Sequence, residues 1–343
     1  MVSLAQMRSS NAAIATALPA KLVAVFAGAT SGIGETALKQ FARHAVQPRV
    51  YFLGRTTASG ERVRAELQAI NPGGEYVFLS VDVSLLGTVD TVCRQIRERE
   101  TAINLLFLTT GTLITGKDTA EGLYYPTAVT YYARTRLIVN LLPLLRTATG
   151  LRRVVTVFAG TKEGPIHTDD FATRHVPILA ARGHASAIMT LSLEAIAVTA
   201  PEVSFVHDFP GPVKTNLGKD VRTPAFIIVG ALFKLLWPFI GIPFAEAGDR
   251  QLFFATSARY PPARTAGGVV GSADGVPLPE GVEVARGSAG AVGGGVYSTN
   301  VDGETLSPKV AQVLARMRDE GVVGKVWAHT EDEFVRIAGS VAL

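Results

Sequence analysis

The stretch Gly28-Ala29-Thr30-Ser31-Gly32-Ile33-Gly34 has the residue types and spacing to hold a phosphorylated ligand. An apolar run, Val23-Ala24-Val25-Phe26-Ala27, enters it, and a helical pattern, Glu35-Thr36-Ala37-Leu38-Lys39-Gln40-Phe41-Ala42, leaves it. Between a strand and a helix, the first glycine allows a tight reversal and the second lets backbone approach a diphosphate. The third lets helix and strand pack closely. Free amides and the positive dipole end of the helix then favour negative charge. The motif predicts a dinucleotide cradle built from Gly28, Thr30, Ser31, Gly32, Ile33 and Gly34; a glycine-rich structural turn is the plainer alternative.

Further candidates stand at the ends of later apolar runs. Arg49-Val50-Tyr51-Phe52-Leu53 reads as a second strand and ends in Gly54-Arg55. A carboxylate at that strand end would bind a ribose 2′-hydroxyl, whereas a guanidinium suits a 2′-phosphate, so Arg55 points to NADP(H) rather than NAD. Asp82, with Val83, follows a third strand from Glu75. It has two open readings, a bond to the adenine amino group or a cap on the helix carrying Val89, Val92 and Ile96. Ile103 to Leu108 forms a fourth strand leading to Thr109-Thr110-Gly111. A sixth, Val203 to Asp208, leads to Phe209-Pro210-Gly211-Pro212-Val213-Lys214-Thr215, at a carboxyl end where such sheets bind ligands.

The elements positioning these residues alternate strand and helix, which predicts an α/β, doubly wound parallel sheet covered on both faces. Long helices are expected over about 126–145 and 178–199, with a fifth strand, Arg153 to Phe158, between them. Residues 1–20 read as an amphipathic helical extension, 21–300 as the main domain and 301–343 as a C-terminal helical extension. The segment at about 224–243 is apolar apart from Lys234. Pro238, Gly230 and Gly241 interrupt it, which favours a lid over a bound hydrophobic substrate above peripheral membrane contact. Residues 261–296, rich in Gly, Ala and Pro, read as a surface excursion.

The 343 residues are 48% hydrophobic and 18% charged, enough for a large core, and the net charge of +4 comes without a Lys/Arg block. Nucleic-acid binding has no support in that pattern. The single cysteine, Cys93, excludes an internal disulfide and a multi-cysteine metal site, and fits a reducing, cytoplasmic setting. No metal-ligand spacing stands out.

Over about residues 22–260 these signals resemble the short-chain dehydrogenase/reductase family. The matching residues are Gly28-Ala29-Thr30-Ser31-Gly32-Ile33-Gly34, Arg55, Asp82-Val83, the Gly111 turn and Pro210-Gly211-Pro212-Val213-Lys214-Thr215. The resemblance implies a Rossmann sheet, NADP or NAD, hydride transfer to or from a carbonyl, and Thr215 beside the nicotinamide carboxamide. Many relatives form homodimers through the two long helices. The terminal extensions and lid resemble a subgroup of fungal secondary-metabolite pathways.

The family's proton chemistry uses a Tyr-x-x-x-Lys pair with a serine and an asparagine. The cation lowers the phenol pKa on the same helix face. Here the spacing places Leu179 at the tyrosine position, Gly183 at the lysine, Ala159 at the serine and Thr130 at the asparagine. Between Ala159 and Thr199 there is no tyrosine, and the one lysine is Lys162. Substitute candidates are His184, Tyr131 (beside Tyr132) and Lys162; for each, a packed or solvated side chain is the plainer reading. His207 and Asp208 are read as bonding loop amides only.

Three functions follow as expectations. The first is an NADP(H)-dependent oxidoreductase acting on a hydrophobic polyketide- or terpenoid-type intermediate, because hydride transfer needs chiefly alignment. The second is a non-redox isomerase or cyclase in the same cleft, and the third a cofactor-binding pseudoenzyme.

Overall fold

Seven parallel strands form one sheet in the order β3-β2-β1-β4-β5-β6-β7 in the computed structural model. Residues 1–215, 217–218, 237, 240–263 and 275–343 are described. Most of the segment expected to form a lid, 224–243, lies outside them. In chain order the elements are α1 (Leu4–Ala12), α2 (Ile14–Ala17), β1 (Val23–Ala27), α3 (Gly32–His44), β2 (Arg49–Gly54) and α4 (Thr57–Ile70). Next come β3 (Glu75–Ser80), α5 (Leu86–Arg97), β4 (Leu105–Leu108), α6 (Tyr125–Thr127), α7 (Ala133–Thr147) and β5 (Arg153–Val157). The rest are α8 (Ile178–Thr199), β6 (Ser204–Asp208), α9 (Phe244–Thr256), β7 (Val296–Thr299), α10 (Pro308–Asp319) and α11 (Val322–Ala338).

Successive side chains of a strand point to opposite faces, and both faces of this sheet are buried, which is why the strands are nearly continuous apolar runs. Ala24, Phe26, Val50 and Phe52 enter one core with Phe41 of α3 and Phe253 of α9. Val25, Ala27, Tyr51 and Leu53 enter the other with Leu137 and Leu141 of α7. A third cluster lies under the C-terminal helices, where Phe334 and Val326 of α11 are buried with Ile188 of α8. Burying each such side chain stabilises the docked helix by about 1.5–3 kcal/mol.

Three expectations need correction. The N-terminal extension is two short helices whose Met7 and Ile14 enter the core shared with Phe253 of α9, and α1 adds polar ties: Asn11 Nδ2 donates to Asp249 O at 2.8 Å and Arg8 pairs with Asp249. The helix expected over 126–145 is interrupted by a wide π-helical turn at Ala128–Tyr132. The described part of the 261–296 excursion is not simply surface, since Val276, Val282 and Ala285 are buried in the main core.

Candidate active site

The glycine turn joins β1 to α3 at the point where strand order reverses, with β2 on one side and β4 on the other. Gly28 has a φ of +83°, and a Cβ there would stand 2.8 Å from Thr109 Oγ1 and 2.9 Å from Thr110 N. At Gly34 it would stand 2.5 Å from Gly28 O, so this position brings α3 hard against the turn. Gly32, with φ +61°, has among the described residues only the Thr215 side chain near it, 3.5 Å from an added Cβ. The turn and the loop after β6 thus face each other, although Gly32 and Thr215 are far apart in sequence. Ser31, at the N-cap of α3, makes no side-chain cap bond, which leaves the first amides of the helix without that partner. Glu35 in the first turn would oppose an anion, but Arg62 and Lys39 pair with it.

At the ends of β2 and β3, beside α5, lies a cavity of about 590 Å³ lined by Arg55, Ser80, Asp82, Thr88, Thr91 and Gln95. Arg55 is exposed at its edge. Asp82 does not cap α5, a correction to one of its two readings. Its Oδ1 accepts from Ser84 N at 3.0 Å and Ser84 Oγ at 2.8 Å, while the Glu121 carboxylate accepts from Leu86 N and Gly87 N at the helix start. Val83 beside it is buried. Thr30 lies against Gly54, where an added Cβ would come within 2.5 Å of its methyl group.

On the β4–β5 side the suggested substitutes are dispersed. Leu179 is 96% exposed at the start of α8. Gly183 packs backbone to backbone on Gly164, whose N–H donates to Gly183 O at 2.9 Å. Tyr131 points away from the strand ends, its hydroxyl held between Ser192 of α8 at 2.7 Å and Thr330 of α11 at 2.5 Å. Tyr132 bonds His329 Nε2 of α11 at 2.6 Å. The face of the long helices thus carries α11. His184 is buried, its Nδ1 accepts from His167 N at 3.1 Å, and burial followed by the His167 charge lowers its pKa to about 4. It is a packed neutral imidazole. Lys162 Nζ stands 5.0 Å over the Phe209 ring, just past β5. Pro210 and Gly211 form the turn after β6, with Gly211 at φ +75° against Ile242.

Two buried polar groupings escaped the sequence reading. His207 Nε2 accepts from Ala159 N at 3.1 Å, so its proton sits on Nδ1 and is donated to Thr190 Oγ1 at 2.8 Å. Thr190 and Ser298 both donate to Glu163 Oε1, at 2.7 and 2.5 Å. Glu163 Oε2 has no partner, and burial raises the carboxyl pKa against those two bonds. The second grouping centres on Arg134 of α7, just past the π-helical turn. Its Nε and Nη2 donate to Thr110 O, and its Nη1 donates to Thr156 Oγ1 at 2.7 Å and Val157 O at 2.9 Å. The available signal was charge inside an otherwise apolar helix pattern. Spacing alone does not say which carbonyls such a side chain meets.

Gly28 and Gly34 have no room for a side chain, Gly32 meets only the Thr215 side chain among the described residues, and Ser31 makes no side-chain cap to α3. These residues fit a dinucleotide diphosphate. Residues 22–124 match the short chain dehydrogenase family model. Oxidoreductase AN1596 of Emericella nidulans is 40% identical over 96% of this chain and 97% of its own length. Oxidoreductase andH of Emericella variicolor is 37% identical over 99% of both. L-sorbose reductase of Gluconobacter frateurii, a structure with NADPH and L-sorbose, shares the fold with a TM-score of 0.51 at 17% identity, over 70% of this chain and 91% of its own. Similar almost end to end to such oxidoreductases, and built on the same parallel sheet with its glycine crossing, the chain belongs to the short-chain dehydrogenase/reductase family.

Proposed function

We propose that this chain is an NADP(H)-dependent oxidoreductase acting on a hydrophobic secondary-metabolite intermediate of polyketide or terpenoid type. The observation that carries the reading is the glycine turn facing Thr215 at the uncapped start of α3, with the Arg55-lined cavity at the ends of β2 and β3. Gly28, Gly32, Gly34 and the first amides of α3 would hold the diphosphate, Arg55 the 2′-phosphate, and Gly111, Pro210, Gly211 and Thr215 the nicotinamide end. Bound NADPH supplies a hydride to an acceptor carbon aligned with it. NADPH in the L-sorbose reductase structure supports the cofactor. A hydrophobic substrate is supported by exposed Leu113, Ile178, Leu179 and Leu217, which all follow the carboxyl ends of β4, β5 and β6.

One observation favours a second reading: α8 presents neither a phenol nor an ammonium at positions 179 and 183. A non-redox isomerase or cyclase, or a pseudoenzyme, needs no such pair. Calorimetry with NADPH and NADH tests the cofactor; Arg55→Asp is expected to weaken NADPH relative to NADH by more than about tenfold. Incubation with hydrophobic polyketide- and terpenoid-type carbonyl compounds then separates the functions. Loss of NADPH absorbance supports reduction. Conversion at constant NADPH supports the isomerase, and binding without conversion the pseudoenzyme.

A further inference from the structure

Arg134 is 1% exposed, and its four recorded hydrogen bonds all go to uncharged oxygens. No carboxylate lies within ion-pair distance of it among the described residues. A guanidinium buried without a counter-ion costs several kcal/mol, so its place in the fold calls for an explanation beyond packing. Four of its five N–H groups tie down Thr110 at the end of β4 and Thr156 and Val157 at the end of β5. Its Nη2 also stands 3.9 Å from where a Gly111 Cβ would be, and its Cζ lies 6.0 Å from the Phe158 ring centroid. Burial pulls its pKa down to about 9, which still leaves it charged at neutral pH.

The orientation of a bound dinucleotide follows from the cleft. The adenosine end belongs with Arg55 over β2 and β3, and the diphosphate with the β1–α3 turn. The nicotinamide ring would then fall on the β4–β5 side, where Arg134 sits beneath the strand ends. That ring is uncharged when reduced and carries a positive charge when oxidised. We propose that Arg134 sets the redox preference of the cofactor site, favouring NADPH over NADP⁺ by placing a fixed positive charge beneath the nicotinamide end. The inference rests on the NADP(H) reading above and deepens it.

The titratable groups coupled electrostatically to Arg134 are His207 and Asp208 at the end of β6. His207 is neutral, its pKa lowered to about 3 by burial and then by Arg134. Asp208 opposes Arg134 once ionised, which burial delays to about pH 7. A unit charge about 10 Å away at an effective dielectric constant near 20 corresponds to roughly a tenfold change in affinity.

Calorimetric titration with NADPH and with NADP⁺ tests the proposal without a substrate. Wild type is expected to bind NADPH roughly tenfold more tightly. Arg134→Met should bring the two affinities together, and Asp208→Asn, measured above the carboxyl pKa, should widen the gap. Equal affinities in wild type overturn the proposal and leave the cofactor reading standing. So does a folded Arg134→Met protein with the wild-type ratio. If Arg134→Met does not fold, the wild-type ratio and Asp208→Asn, which keeps all four Arg134 bonds, decide; an unchanged ratio in Asp208→Asn counts against it. Binding of neither dinucleotide overturns both.

Discussion

Asp208 is fully buried, with Oδ2 accepting from Gln251 Nε2 at 2.6 Å and Oδ1 without a partner. Burial raises its pKa from 3.8 to about 7, against lowering by Gln251 and Arg134. The folded state therefore holds this proton more tightly than the unfolded chain does. Its contribution to stability is present below about pH 4 and is lost as pH rises to about 7. Asp208→Asn removes that loss, so the melting temperature of the variant minus that of wild type should be larger at pH 8 than at pH 5. A difference that is flat with pH would refute the assignment. His184 and His207 act with the opposite sign, because both are held neutral; their contribution is present above the unfolded histidine pKa and lost as pH falls. At Gly34→Ala the conflict is one of space. Its methyl would meet Thr109 Oγ1 and Gly28 O, and overpacking of this kind costs about 1–3 kcal/mol in chemical denaturation.

Helix α11 is tied down by ions as well as by apolar contact. Arg136, fully buried on α7, donates from Nε to Asp90 Oδ1 at 2.7 Å and from Nη2 to Asp90 Oδ2 at 2.8 Å. Its Nη1 reaches Ser340 O at 2.7 Å and Val341 O at 2.6 Å, just past α11. Breaking a buried pair from one side strands the other charge, so Asp90→Ala should cost about 3–5 kcal/mol in urea unfolding. Tyr131→Phe should cost about 1 kcal/mol, by loss of its bonds to Ser192 and Thr330. It should leave NADPH affinity and any turnover unchanged, since the hydroxyl lies between helices. A large loss of turnover without loss of stability would return Tyr131 to the reaction.

Over the whole molecule, the parallel sheet and its glycine crossing were legible because their signals are local: apolar runs of strand length, a glycine turn, a helix. The identities of Leu179 and Gly183, and the absence of any tyrosine between Ala159 and Thr199, were legible for the same reason. Arg134, Glu163 and the seating of α11 were not, because each depends on partners brought together only by folding; Glu163 meets Ser298, 135 residues away. Tyr131 and His184 carry suitable groups, but only the fold shows where those groups point. Since NADPH binds the folded chain, at 100 times its Kd it should add about 2.7 kcal/mol of apparent stability, read as a rise in melting temperature, with NADP⁺ at equal concentration adding less. The glycine-to-glycine contact between residues 164 and 183 has a last consequence: a Cβ at 183 would stand 3.1 Å from both Gly164 Cα and N, so any larger residue there obliges the preceding loop to give way by a few tenths of an ångström.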